Sequence, residues 1–139
     1  MKRLFYLLAA AAFTACGSAT TLSVMTFNMR YDNPEDGADN WRFRRGRVAE
    51  VIASHGVDVF GTQELLANQL GDLKRLLPGY AAVGVGREDG AEAGEFSAVF
   101  YRRDRFTPLE SGTFWLSETP DVAGSKGWDG ACERVATWV

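Results

Sequence analysis

The chain's chemistry gathers at the ends of two short apolar, β-rich segments. Asn28 directly follows residues 21–27 (TLSVMTF), and Gln63-Glu64 directly follows residues 57–62 (VDVFGT). An amide and a carboxylate brought together would form the polar edge of a site. The plainer reading of Glu64 is an acid at a helix amino terminus, where the dipole favours it. His55 is the only histidine and the first residue to consider for general acid–base work. It closes the segment 41–55, so the strand 57–62 separates it from Glu64. At about 3.3 Å per residue the two stand roughly 20 Å apart, whereas proton transfer needs contact near ~3 Å or one bridging water. His55 is therefore expected to be a helix-terminal residue. Cys16 and Cys132 are the only cysteines, too few for a disulfide framework. Cys132 is expected to be a small buried or half-buried side chain, with a reactive thiol as the alternative.

The segments that must position these groups alternate in period. Residues 21–27 and 57–62 have the short, bounded pattern of buried strands. Between them, residues 31–37 (YDNPEDG) carry the Pro and Gly of a loop. Asn40 can cap a helix over 41–55 with Trp41, Val48, Val51 and Ile52 on its apolar face, its four arginines mostly solvated and Gly56 as terminator. Leu66, Leu70, Leu73 and Leu77 mark a second helix, stopped by Pro78-Gly79. Strands are then expected at 80–85, 96–101, 106–109, 113–116 and from 134 onward, the first two joined as a hairpin by the glycine-rich loop 86–94. A crossover through the first helix places strands 21–27 and 57–62 parallel. If they are neighbours, their carboxyl ends lie about 5 Å apart. Open α/β sheets carry their sites at such ends.

Composition narrows the class. With 46% hydrophobic and 24% charged residues and a net charge of −3, the chain is a folded domain, without the basic excess of a nucleic-acid or anionic-membrane binder. Residues 1–15 are expected to be an export leader. Lys2 and Arg3 precede the apolar run 4–13, which falls short of the ~20 residues of a membrane-spanning helix. Phe13-Thr14-Ala15-Cys16-Gly17 resembles a bacterial lipobox, so a lipidated Cys16 anchored to the membrane is expected; cleavage after Ala19 with plain secretion is the alternative. Losing residues 1–15 removes two cations and no acid, taking the net charge from −3 to −5.

Thr26-Phe27-Asn28 followed by Asp58-Val59-Phe60-Gly61-Thr62-Gln63-Glu64 resembles the opening of the endonuclease/exonuclease/phosphatase superfamily. The resemblance continues through Gly86-Arg87-Glu88-Asp89-Gly90, residues 94–101 (GEFSAVFY), residues 114–120 (FWLSETP), Gly127-Trp128-Asp129 and residues 134–138 (RVATW). It implies a four-layer α/β sandwich, with two mixed sheets face to face and helices outside. It also implies Mg²⁺- or Mn²⁺-assisted phosphoester hydrolysis. By position, Glu64 would be the metal-binding carboxylate, with Asn28 beside it at the metal, orienting bound water or a phosphate oxygen. Such a cation takes oxygen ligands and keeps several waters, so one or two carboxylates suffice. Arg87 could reach a substrate phosphate or be a solvated loop cation. Glu95 supports the site or pairs with a nearby arginine, and Arg134 is phosphate-facing or structural. Trp41, Trp115 and Trp128 are expected in core or loop packing rather than as a base-stacking platform.

Family members complete the site with H-x-D, G-D-x-N and S-D-H-type blocks, and none of these occurs here. The expectation is that residues 16–139 form half of the α/β sandwich, lack the carboxy-terminal half, and are not a competent enzyme alone. A non-catalytic exported lipoprotein or interaction module that keeps half the scaffold is the competing reading. The acidic balance favours a small-molecule phosphoester over nucleic acid, whose binding rests on phosphate neutralisation. No protein partner is inferred.

Overall fold

The structure is a computed structural model that describes residues 21–139. The expected leader and Cys16 lie outside the described residues. Strand β1 (Val24–Asn28) leads through a 3-10 helix (Pro34–Asp39) and helix α1 (Trp41–Ser54) to strand β2 (Val59–Gln63). Helix α2 (Ala67–Leu76) follows, then strands β3 (Tyr80–Val83), β4 (Val99–Arg102), β5 (Gly112–Trp115) and β6 (Val135–Trp138). One mixed sheet has the order β1-β2-β4-β3, and β5 pairs with β6 in a second, two-stranded sheet. The chain is thus α/β with mixed sheets and helices.

The crossover acts as its length requires: β1 and β2 are parallel neighbours, with Asn28 opposite Gln63. The hairpin across 84–98 also forms, pairing Val83 with Val99 and Tyr80 with Arg102. Alternation places Met25, Phe27, Phe60, Phe100 and Tyr80 on the face that packs against Trp41, Val48 and Ile52 of α1 and Leu73 and Leu77 of α2. At its centre the Phe60 and Phe100 rings stack with centroids 4.6 Å apart.

Several local expectations are corrected. Residues 31–37 are not simply a loop, because Pro34 opens a helical turn and the Asn33 side chain accepts from the Glu35 amide. Residues 106–109 form no strand: Pro108 has no N–H for a ladder, and Leu109 is 96% exposed. β1 begins at Val24 rather than at residue 21, and β3 ends at Val83. Asn40 does cap α1, accepting from the Arg42 amide at 3.2 Å. Val51 faces solvent, however. Arg42, Arg45 and Arg47 are exposed, as expected, while Arg44 is half-buried and donates to the carbonyls of Met29, Arg30 and Asp39. Trp41 and Trp115 are buried as expected, whereas Trp128 stands exposed.

Candidate active site

Glu64 owes its position to a break in the β2–β4 ladder. Gly61 pairs with Val99, and the Thr62 amide donates to the Ala98 carbonyl at 2.8 Å. The next bridge joins Leu65 to Phe96. Two residues, Gln63 and Glu64, therefore stand opposite the single Ser97, which makes a β-bulge. The extra residue takes the left-handed backbone, with Glu64 at φ 56°. A bulge bends the strand and re-aims a side chain, and a non-glycine residue there costs about 1–2 kcal/mol. The chain thus spends stability on a carboxylate where glycine would be relaxed.

The amide expected beside Glu64 is there. Asn28 Nδ2 donates to Glu64 Oε1 at 3.0 Å. Asn28 Oδ1 accepts from the Arg30 amide at 2.8 Å, so these two partners determine which way the side-chain amide faces. The Tyr31 amide donates to Glu64 Oε2 at 3.4 Å. Asn28 is exposed and Glu64 half-buried.

Both residues border a cleft of about 200 Å³ that Arg87, Glu95, Glu133 and Arg134 also line. Asn28, Glu64, Arg87, Glu95 and Arg134, the site candidates read from the sequence, therefore meet at one place. The two arginines differ in state. Arg87 is mostly buried and ion-paired, with Nη1 2.7 Å from Glu95 Oε2, while its carbonyl accepts from Trp115 Nε1 at 2.6 Å. Arg134 is exposed and makes no ion pair among the described residues. His55 caps the far end of α1, with Nδ1 2.8 Å from the Val51 carbonyl. Cys132 is free and half-buried.

Among the described residues, no three Asp, Glu, His or Cys side chains gather as a metal cage. The donor set at the bulge is one carboxylate with an amide beside it. That set fits a hard divalent cation that keeps most of its water shell, and does not fit an all-protein cage.

Two features were missed by sequence reasoning. The bulge leaves no glycine or proline to mark it. Gln69 is fully buried and hydrogen-bonded to both loops that carry the site; its only signal was a polar residue set among the leucines of α2.

Residues 25–139 match the Endonuclease/Exonuclease/phosphatase family. Among solved structures, an endonuclease/exonuclease/phosphatase of Bacteroides vulgatus is 52% identical at a TM-score of 0.80, over 81% of this chain and 43% of its own. A family protein of Bacteroides thetaiotaomicron is 50% identical at 0.83, over 86% and 44%. A mannosyl-6-phosphatase of Bacteroides thetaiotaomicron VPI-5482 is 49% identical at 0.82, over 85% and 45%. No curated protein matches the chain. The chain spans less than half the length of these solved structures. With the match running from the first strand to the last residue, the chain belongs to the Endonuclease/Exonuclease/phosphatase family.

Proposed function

We propose that this chain carries the Glu64 half of a divalent-cation-assisted phosphoester hydrolase, with Mg²⁺ or Mn²⁺ as the cation and a small phosphoester as substrate. The observation that carries the reading is the Asn28–Glu64 pair, joined at 3.0 Å on a bulge that faces a cleft lined by two arginines. Glu64 would hold the cation. When bound, the cation would polarise a phosphoryl oxygen and offset the charge that develops on it. Asn28 already gives its oxygen to the Arg30 amide and one N–H to Glu64. It therefore orients the carboxylate, keeps a second lone pair on its oxygen for the cation or its bound water, and presents its remaining N–H to a phosphate oxygen. Arg134, exposed and unpaired among the described residues, is the phosphate-facing cation. Arg87 is neutralised by Glu95 and braces the cleft wall.

Likeness to a mannosyl-6-phosphatase supports a phosphorylated sugar as the small substrate, in line with the net charge of −3. Export as a lipoprotein through Cys16 belongs to the same reading. The test titrates Mn²⁺ into the 139-residue chain by calorimetry. Binding is expected, with Glu64→Gln weakening it at least ~10-fold and His55→Ala leaving it unchanged. Equal affinity in Glu64→Gln and the parent, or dependence on His55, would overturn the site.

A further inference from the structure

Two loops bring the site together: residues 29–33, which follow Asn28, and residues 64–66, which follow β2. One buried side chain holds both. Gln69, in the first turn of α2, is fully buried. Its Oε1 accepts from the Leu66 amide at 2.9 Å and from the Asp32 amide at 3.2 Å. Its Nε2 donates to the Arg30 carbonyl at 3.0 Å. Two backbone N–H groups meet one end of the amide and a carbonyl meets the other, so the partners dictate its orientation and no rotamer flip preserves them.

We infer that Gln69 is the positioning residue of the site: it sets the distance between the Asn28 loop and the Glu64 loop. The inference rests on the reading of Glu64 as the cation-holding carboxylate. The coupling is short. Arg30, whose carbonyl Gln69 holds, donates its own amide to Asn28 Oδ1. Leu66, whose amide Gln69 receives, lies two residues beyond Glu64. The Tyr31 amide, between the two loop contacts of Gln69, reaches Glu64 Oε2. Arg44 holds the Arg30 carbonyl from the α1 side, so the loop is clamped by both helices. Only Gln69 reaches the Glu64 loop as well. An apolar side chain of equal length would leave the Leu66 and Asp32 amides without the oxygen they share and the Arg30 carbonyl with Arg44 alone, and a polar group shielded from water and left unmatched is costly. The loops would then separate to find water.

Gln69→Met removes the clamp while keeping the length of the side chain. Leu73→Ala is the control: Leu73 is fully buried in the same helix and makes no hydrogen bond to either loop. Both variants should melt at lower temperature than the parent. Well below those melts, Gln69→Met is expected to weaken Mn²⁺ binding to the chain ~10–100-fold, the range for residues that orient metal ligands. Leu73→Ala should change it less than about twofold. Parent-like Mn²⁺ affinity in Gln69→Met, or equal losses in both variants, would overturn the positioning role. Unchanged Mn²⁺ binding in Glu64→Gln would instead sink the site reading itself, so the two failures are distinguishable.

Discussion

A single backbone angle separates Glu64 from an ordinary strand-end acid. At φ 56° its Cβ crowds the backbone, a cost of about 1–2 kcal/mol that glycine does not bear. Glu64→Gly and Glu64→Ala both delete the carboxylate, but only the first relieves the backbone. Glu64→Gly should be the more stable of the two by about 1 kcal/mol in urea unfolding, and equal midpoints would show that the bulge does not persist in solution. The two cleft arginines should divide in the same manner. Arg134→Ala is expected to weaken inorganic phosphate binding in the presence of Mn²⁺ while leaving the melting temperature nearly unchanged. Arg87→Ala leaves Glu95 without its partner at 2.7 Å, and its main effect should be a lower melting temperature. The reverse pattern would exchange their roles.

At the scale of elements, the end of the sheet opposite the site is tied by Asp58. It is buried and accepts from the Ser23 amide at 2.9 Å. Arg105 contacts its other oxygen and Arg102 stands 3.9 Å away. The Ser23 amide, aided by the two guanidinium groups, holds the Asp58 carboxyl below its ordinary range against the opposing effect of burial. A depressed folded pKa gives stability that is full above the unfolded value of about 3.9 and is lost as pH falls through the folded value. Asp58→Asn should therefore be less stable than the parent at pH 7, with the gap closing as the pH drops below about 4. A gap that stays constant through acid would mean the ion cluster contributes nothing. β1, β2 and β4 meet at this cluster, so their register, and through it the place of Asn28 beside Gln63, depends on it.

Among the described residues, one face of the main sheet is packed and the other carries an exposed apolar groove. The helices cover the side of the main sheet that carries Phe60 and Phe100. On the other side an apolar groove of about 600 Å³ runs between Val59, Tyr101, Phe106, Leu109 and Trp138. Val24, which pairs with Val59 across the sheet, is 65% exposed. Apolar side chains that meet water along such a groove are stabilised when a second apolar surface covers them. The 139-residue chain is therefore expected to enhance the fluorescence of a hydrophobic dye or to self-associate at micromolar concentration. A monodisperse monomer that melts cooperatively and ignores the dye would show that this face is satisfied as it stands.

The parallel pairing of β1 with β2 was legible in the sequence because two apolar runs joined by a crossover-length helix leave little topological choice. That pairing already placed Asn28 near Glu64. The Asn40 cap, the helix stop at Gly56 and the removal of His55 from the site followed from local rules of the same kind. Other features depended on contacts between segments distant in the chain. The failure of residues 106–109 to pair was only partly visible in Pro108. The bulge at Glu64 arises from registers set on either side of it by Val99 and Phe96, which no local pattern encodes. The burial of Gln69 and Arg44 follows from loops that fold back onto the helices and offer them carbonyls and amides. Residue type and spacing determined which groups stand at the sheet's edge. Only the tertiary structure decided which way they face, because a side chain's direction there depends on partners thirty and more residues away.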